Sequence, residues 1–174
     1  MNTKNYIKMC EKNEELQRDW ISRIKRGEYR TDYVYYLDPV NKKYKTELFL
    51  GIHEYANKVS HILTIDPKNS AYRYVGISWQ EDLFEYVWLP TLEQLFEMIW
   101  KIDVEHRVQR HYGINECDEG NYQLEVTQID PQDQNYDREY FSDSFQGCLL
   151  QYIYDIEYHK TWTGEKWIIK KKGE

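Results

Sequence analysis

The sequence lacks a long apolar stretch of the kind that spans a membrane. It also lacks the apolar core of a secretory signal peptide. No apolar run approaches the roughly 20 residues that a membrane-spanning helix needs, and residues 1–19 are too polar for the core of a secretory signal. Glycine is scarce, with 8 in 174 residues, and no repeat or low-complexity linker interrupts the chain. We therefore expect a single domain, residues 1–174, that stays in the cytoplasm.

Metal, cofactor and nucleophile motifs are also missing. Cys10, Cys117 and Cys148 are odd in number and far apart, with no Cys-x-x-Cys spacing, so we expect three free thiols. The histidines of the His53-Glu54 and His61 segment do not have the spacing of a zincin helix. Neither a Walker loop, a dinucleotide fingerprint nor a Gly-x-Ser-x-Gly elbow is present. The sequence thus predicts no cofactor, no metal site and no catalytic residues.

Aromatic side chains are abundant instead. Tyrosine occurs 17 times and tryptophan 6 times, which argues against disorder and suits a core with a wet edge or a binding surface. We interpret Trp88, Trp100 and Trp167 as core side chains, although they could also line a ligand cleft.

The clearest local signal begins one helix. Thr91, followed three residues later by Gln94, forms a capping box. In a capping box, the side chain of each residue accepts a hydrogen bond from the backbone amide of the other. Apolar residues then recur at spacings of three and four, which predicts a stripe facing a core: Leu92, Leu95, Met98, Ile99 and Ile102. We expect residues 103–112 to extend this helix, with Gly113 as its cap.

Periodicity and turn residues divide the rest of the chain. Residues 5–26 are predicted as one helix, and Asp143 or Ser144 should cap a last helix that runs to Tyr158. Gly147 inside that helix indicates close packing against another element. Predicted strands cover residues 33–37, 44–51, 59–65, 72–78, 83–89 and 122–129, and residues 162–169 form a hairpin. The expected fold class is α+β: mainly antiparallel sheet with three or four packed helices.

Three segments share an order that resembles a known family. Trp88-Leu89-Pro90 with Gln94-Leu95 and Met98 form a Trp-Leu-Pro-x-x-x-Gln-Leu-x-x-Met box, residues 6–20 form an opening helix, and residues 148–167 form a closing helix with a Trp-x-Gly-Glu-x-Trp finish. In this order they resemble a family of small, uncharacterised proteins encoded by phages and prophages of Gram-positive bacteria. The resemblance implies a phage or prophage origin, and nothing catalytic follows from it.

Charge is unevenly distributed along the chain. Residues 114–157 hold eleven Asp/Glu against Arg138 alone, whereas residues 1–30 and 158–174 each carry a net charge of +3. This acidic segment could contact a basic partner or imitate a nucleic-acid backbone, or it could be a solvated face that maintains solubility. The candidate partner-binding residues are Asp130, Asp133, Asp137, Glu139 and Asp143.

Two weaker patterns point to other chemistry. Asp103 and His106, three residues apart, share a helix face and could form half of a metal site or a hydrolase cleft, whereas His106 and His111 lie on different sides of such a helix. Residues 25–30 with Tyr33, Tyr35 and Tyr36 mix basic and aromatic side chains, as in a single-strand platform. The net charge of −7 opposes direct nucleic-acid binding.

The sequence favours a non-catalytic phage or prophage accessory protein that binds a host protein in the host cytoplasm, in one version as an inhibitor of host defence. The alternatives are a small hydrolase with a His/Asp cleft and a structural or virion-assembly protein. The identity of the partner and the oligomeric state do not follow from the sequence.

Overall fold

The computed structural model describes residues 3–26, 28, 32–37, 43–54, 60–65, 72–77, 86–106, 109–117, 120–129 and 136–170, with the backbone alone at 25, 50–54, 60–65, 72–77, 129 and 136. Within these ranges the chain forms four helices and three antiparallel sheets, which confirms the α+β class. The chain divides into two compact units: a larger unit, Met1–Lys12 with Thr91–Glu174, and a smaller unit, Asn13–Pro90. That these units make up one domain stays a prediction.

The described residues of the smaller unit form one helix and one sheet. Helix α2 (Glu14–Lys25) accompanies a sheet of five antiparallel strands in the order β4-β3-β2-β1-β5. These are β1 (Asp32–Leu37), β2 (Tyr44–Glu54), β3 (Ser60–Ile65), β4 (Tyr72–Ile77) and β5 (Val87–Leu89). Trp20 of α2 packs edge-on against Phe49, with ring centroids 5.4 Å apart, and its Nε1 donates to Asp32 Oδ2 at 2.9 Å. The core of this unit therefore lies between the apolar side of α2 and the sheet.

The larger unit is organised around its last helix, α4 (Phe145–Tyr158), which packs against helices α1 (Lys4–Glu11) and α3 (Leu92–His106). It also covers one face of a three-stranded meander of β6 (Gln109–Cys117), β7 (Asn121–Ile129) and β8 (Tyr136–Ser142). A hairpin of β9 (Lys160–Trp162) and β10 (Trp167–Ile169) follows. Trp167 Nε1 of this hairpin donates to Met9 O at 3.0 Å, so the two ends of the unit are joined.

Two of the predicted helix caps, at Thr91 and Ser144, are confirmed. Thr91 N donates to Gln94 Oε1 at 2.8 Å and Gln94 N donates to Thr91 Oγ1 at 3.3 Å, which completes the capping box. Ser144 caps α4, because its Oγ accepts from Gly147 N at 3.2 Å. The close packing predicted at Gly147 is also present: a Cβ there would lie 2.1 Å from Ser142 Oγ.

The predicted first helix is two helices. The expectation of one helix over residues 5–26 was wrong, since α1 ends at Glu11 and α2 begins at Glu14. Asn13 causes the break, because its Oδ1 accepts from Leu16 N at 2.9 Å and so caps a new helix. The same position separates the two units.

The predicted extension of α3 was also wrong. The helix ends at His106, and Tyr112 and Gly113 belong to strand β6. Alternation explains the difference: Arg110 and Tyr112 point toward the helix layer while β6 pairs along its length with β7. This pairing between distant segments overrides the weak local helical pattern of residues 107–112.

The core stripe of α3 is narrower than predicted. Leu95, Ile99 and Ile102 are buried, as expected, and Met98 is half-buried. Leu92 is 38% exposed, and Trp100, interpreted from the sequence as a core residue, is 72% exposed. The interpretation of Trp88 as a core residue is confirmed, and Trp167 is half-buried against Tyr154, with ring centroids 4.6 Å apart.

The predicted strands are found within the described ranges, and both β1–β2 and β3–β4 are antiparallel pairs. Residues 83–85 and the turns predicted at 38–41, 66–69 and 130–133 lie outside the described residues. Across the described ranges, no helix combines the length and the apolar character required to cross a membrane.

Candidate interaction surface

Two polar clusters lie where the helices of the larger unit meet the three-stranded sheet, and the first centres on Asp155. Tyr140 Oη and Arg138 Nη1 donate to Asp155 Oδ2 at 2.7 and 3.0 Å, and Lys170 Nζ lies 2.7 Å from Oδ1. Burial would raise the pKa of Asp155, but the hydrogen bonds from Lys170 and Tyr140 and the charge of Arg138 hold it below its ordinary value. This carboxylate is therefore ionised at neutral pH and already occupied by donors.

The second cluster centres on Asp103. Its two carboxylate oxygens accept from Arg110 Nη1 and Tyr112 Oη, and Tyr152 Oη lies 3.5 Å from Oδ1. The side chain of Arg110 is only 4% exposed, and its guanidinium lies 5.9 Å from the centre of the Tyr152 ring. Burial and the hydrogen bond to Asp103 raise the pKa of Tyr112. Asp103 thus neutralises a buried arginine and ties the end of α3 to β6.

The Asp103–His106 pair, the basis of the hydrolase hypothesis, does not form a hydrogen-bonded dyad. His106 is exposed, and its Nε2 lies 3.9 Å from Glu157 Oε2 while Asp103 bonds β6. His111, predicted on the same helix, is exposed on β6. General acid–base catalysis requires a group within reach of substrate whose pKa lies near the working pH. The pKa of Asp155 is lowered and that of Tyr112 is raised, so both lie farther from neutral pH than usual. The oxygen atoms of both side chains are also already hydrogen-bonded.

The cysteines are free, as predicted. Cys10 and Cys148 are buried on helices, and burial raises the pKa of Cys10 well above its ordinary value and that of Cys148 to about 12. Both are therefore protonated at neutral pH and make poor nucleophiles, because the thiolate is the reactive form. Cys117 is half-buried at the end of β6.

The five predicted partner-binding residues fall into three groups. Asp130 and Asp133 lie outside the described residues. Asp143 has a local role, since its Oδ1 accepts from Thr3 Oγ1 at 2.8 Å beside the α4 cap. Asp137 and Glu139 are exposed on β8, two residues apart, and therefore share a face of the sheet.

That face is the one turned away from α4. Arg138 and Tyr140 alternate with these carboxylates and contact Asp155 of α4, so Asp137 and Glu139 point to the opposite side. The register places Glu125 of β7 directly across from Glu139, and Glu125 is also exposed. We call Glu125, Asp137 and Glu139 the acidic sheet face. Its local partners are polar: Asn115 Nδ2 donates to Glu125 at 3.1 Å, and Thr127 Oγ1 donates to Asp137 at 2.8 Å.

Within the described part of the chain, no ion pair involves the acidic sheet face. On the side of β7 that faces β6, the residue paired with Glu125 is Gly113, which has no side chain and so no charge. A Cβ built on Gly113 would lie 3.5 Å from Glu125 Oε2. Like charges directly opposite one another in a sheet destabilise it. The surface thus carries uncompensated negative charge.

Sequence reasoning missed Glu125 and the two polar clusters. The alternation of Tyr122, Leu124 and Val126 could have assigned Glu125 to the outer face of a strand. Its pairing with Glu139 depends on the register between β7 and β8, which sequence alone does not specify.

The tyrosines of β1 divide as their alternation predicts. Tyr36 is buried with Val34, whereas Tyr33 and Tyr35 are half-buried on the other face. Tyr35 stacks on Tyr44 of β2 with ring centroids 5.0 Å apart. The stacked ring of Tyr44 covers one face of the Tyr35 ring, and that face is then not available to stack against a base of a single-stranded nucleic acid.

Comparisons with known proteins supply no relative: the chain matches no protein-family model, no curated protein and no solved structure.

Proposed function

We propose that this protein acts without catalysis, by binding a basic surface of a host protein through the acidic sheet face. The observation that carries the proposal is the placement of Glu125, Asp137 and Glu139 on an exposed strand surface, where none of them forms an ion pair with another described residue. A strand surface holds side chains in a fixed spacing, so it can match a fixed array of Lys and Arg. Binding such an array would relieve the repulsion between Glu125 and Glu139.

The resemblance to phage and prophage proteins supports the choice of a host protein as the partner. A phage accessory protein that binds one host protein in the cytoplasm would most simply act by blocking it, and inhibition of a host defence protein is the version we propose. The saturated state of Asp103 and Asp155 supports the non-catalytic part of the proposal, since neither carboxylate offers a free reactive atom.

The experiment that tests the proposal is affinity capture from a lysate of a Gram-positive host, followed by a binding measurement with the purified partner. The test variant is Glu125→Lys/Asp137→Lys/Glu139→Lys. We expect the wild-type chain to retain one stoichiometric partner, released by raised salt because exposed charges are screened within about 10 Å at 0.1 M salt. The test variant should lose that partner.

A matched control separates this surface from net charge. Glu11→Lys/Glu116→Lys/Glu165→Lys makes the same change in charge at three exposed positions outside the acidic sheet face. The control should keep the partner with affinity reduced only modestly. Equal loss of binding in both variants would mean that overall charge, and not this surface, attracts the partner.

A further inference from the structure

A second surface of the larger unit is apolar and runs along α3. Four residues spaced by four form it, and we call them the α3 ridge: Leu92, Phe96, Trp100 and Val104. Their exposed fractions are 38%, 44%, 72% and 57%. Each step of four residues rotates about 40° around a helix, so the ridge leaves the core boundary at Leu92 and faces solvent at Trp100. An amphipathic surface helix would carry polar residues at these positions.

The ridge is held in place by the fold. The capping box fixes the start of α3, Leu95 and Ile99 anchor its buried side, and the bonds of Asp103 to β6 fix its end. Phe96 contacts Phe145 of α4, with ring centroids 5.9 Å apart. Binding to a surface already ordered in this way costs little conformational entropy. Contiguous exposed apolar side chains on such an element mark an interaction site.

The charged residues beside the ridge indicate which kind of partner would bind it. Glu93 and Glu97 are exposed beside it, and Lys101, the next residue along this edge, lies 3.8 Å from Glu105. The larger unit holds twelve Lys/Arg against 18 Asp/Glu, a net charge of −6. Pairing two copies of this unit would bring two such charges together. A partner with apolar residues flanked by Lys or Arg meets both features.

We propose that the α3 ridge binds an amphipathic helix of a partner protein whose apolar stripe is flanked by basic residues. The ridge extends about 18 Å along the helix axis, at 1.5 Å per residue. A helix offers apolar side chains at matching intervals of three and four residues, which pack between those of the ridge. Trp100 would supply the largest buried area, as aromatic residues do in the centres of interfaces. This site is separate from the acidic sheet face and does not depend on the function proposed for it.

The test uses a displayed library of random peptides about 16 residues long, the length of a recognition helix, selected against the wild-type chain. Enriched peptides should place apolar residues at spacings of three and four and carry net positive charge. The affinity of the consensus peptide is then measured by calorimetry. Trp100→Ser should weaken binding at least about tenfold, and Glu93→Lys/Glu97→Lys about fivefold.

Two controls make the result specific. Ile169→Ser removes an apolar side chain that is also 72% exposed but lies on β10, and it should change affinity less than about twofold. Glu125→Gln/Asp137→Asn/Glu139→Gln should keep peptide binding at physiological salt while it abolishes host-protein capture. The failure of either surface is therefore distinguishable from the failure of the other.

Several outcomes would overturn the proposal. Failure to enrich any peptide, enrichment of neutral or acidic peptides, and binding that ignores Trp100→Ser each contradict it. Sedimentation that shows a wild-type dimer dissociated by Trp100→Ser would assign the ridge to a second copy of this chain instead.

Discussion

The two units treat buried charge differently. In the larger unit, Asp155 accepts from three donors and Asp103 neutralises the buried guanidinium of Arg110. In the smaller unit, Arg23 Nε and Nη2 and Trp88 Nε1 are buried N–H groups with no hydrogen-bond acceptor in the part of the chain that the structure describes. Arg23 lies over the Trp88 ring at 4.5 Å, and its Nε is 3.6 Å from the exposed carboxylate of Asp19.

The difference shows where each unit gains stability. A buried donor without an acceptor lowers the free energy of unfolding by about 1–3 kcal/mol. A buried ion pair adds little by itself, but removing one of its two members is strongly destabilising. The larger unit therefore depends on its polar clusters. In the smaller unit, Trp20, Phe49 and Leu89 pack in an apolar core, and the buried carboxylates of Asp32 and Glu47 accept from Trp20 and Tyr36. We expect Arg23, whose buried N–H groups lack acceptors among the described residues, to contribute little to stability.

The largest expected effect is the removal of Asp155. Asp155→Ala leaves Lys170, Arg138 and Tyr140 without their acceptor, so the free energy of unfolding should fall by about 3 kcal/mol, as when one partner of a buried pair is removed. Urea unfolding followed by circular dichroism measures it. Asp137→Ala, an exposed control, should change stability by less than about 0.5 kcal/mol; similar losses in both variants would contradict the role given to the Asp155 cluster.

The same variant tests the prediction of one domain. If the chain unfolds cooperatively as one domain, Asp155→Ala should speed amide hydrogen exchange in β1 of the smaller unit as well as in β7. Exchange accelerated only in the larger unit would show that the two units unfold separately.

Next in size is a matched pair of arginine substitutions. Arg110→Met removes the cation that neutralises Asp103 and should destabilise the protein by about 2–3 kcal/mol. Arg23→Met removes unpaired donors and keeps an apolar stem against Trp88, so stability should change by less than about 1 kcal/mol in either direction. Thermal and urea unfolding of both variants provide the measurement. An equal loss of stability in the two variants would mean that the charge of Arg23 is neutralised by its surroundings as fully as that of Arg110.

A smaller effect concerns acid stability. The pKa of Asp155 is lowered below its ordinary value of 3.8, so the folded state releases this proton more readily than the unfolded state. Its contribution is complete above about pH 4 and is lost as the pH falls through the lower folded pKa. The free energy of unfolding of Asp155→Asn should therefore depend less on pH than that of the wild type below about pH 4. Parallel curves would refute the shift.

The smallest effect separates stability from binding. Glu139→Gln removes the repulsion with Glu125, so the free energy of unfolding of the free protein should rise by up to about 0.5 kcal/mol, the range of surface substitutions, while capture of the host partner weakens. The control Glu165→Gln, also exposed but on the β9–β10 turn, should change neither quantity. A stability loss in Glu139→Gln would indicate that this carboxylate has a structural partner.

Much of the fold could be predicted because its signals act over short distances. The Thr91–Gln94 capping box, the Ser144 cap and the small residue required at Gly147 were confirmed, as were the alternating strands. Asn13 carried the same type of capping signal, but the apolar periodicity on both sides of it suggested a continuous helix. Asp137 and Glu139 were correctly expected in an acidic segment, and their use as an interface stays a prediction.

The sequence by itself determined the Thr91 and Ser144 caps and the alternation of the strands. A capping side chain satisfies a backbone amide only three or four residues away, and a strand alternates wherever it lies. Only the tertiary structure decided that residues 109–117 form a strand, that Trp100 faces solvent and that Glu125 meets Glu139. These outcomes depend on register and on which helix faces are covered. Segments far apart in the chain set both, so no local pattern encodes them.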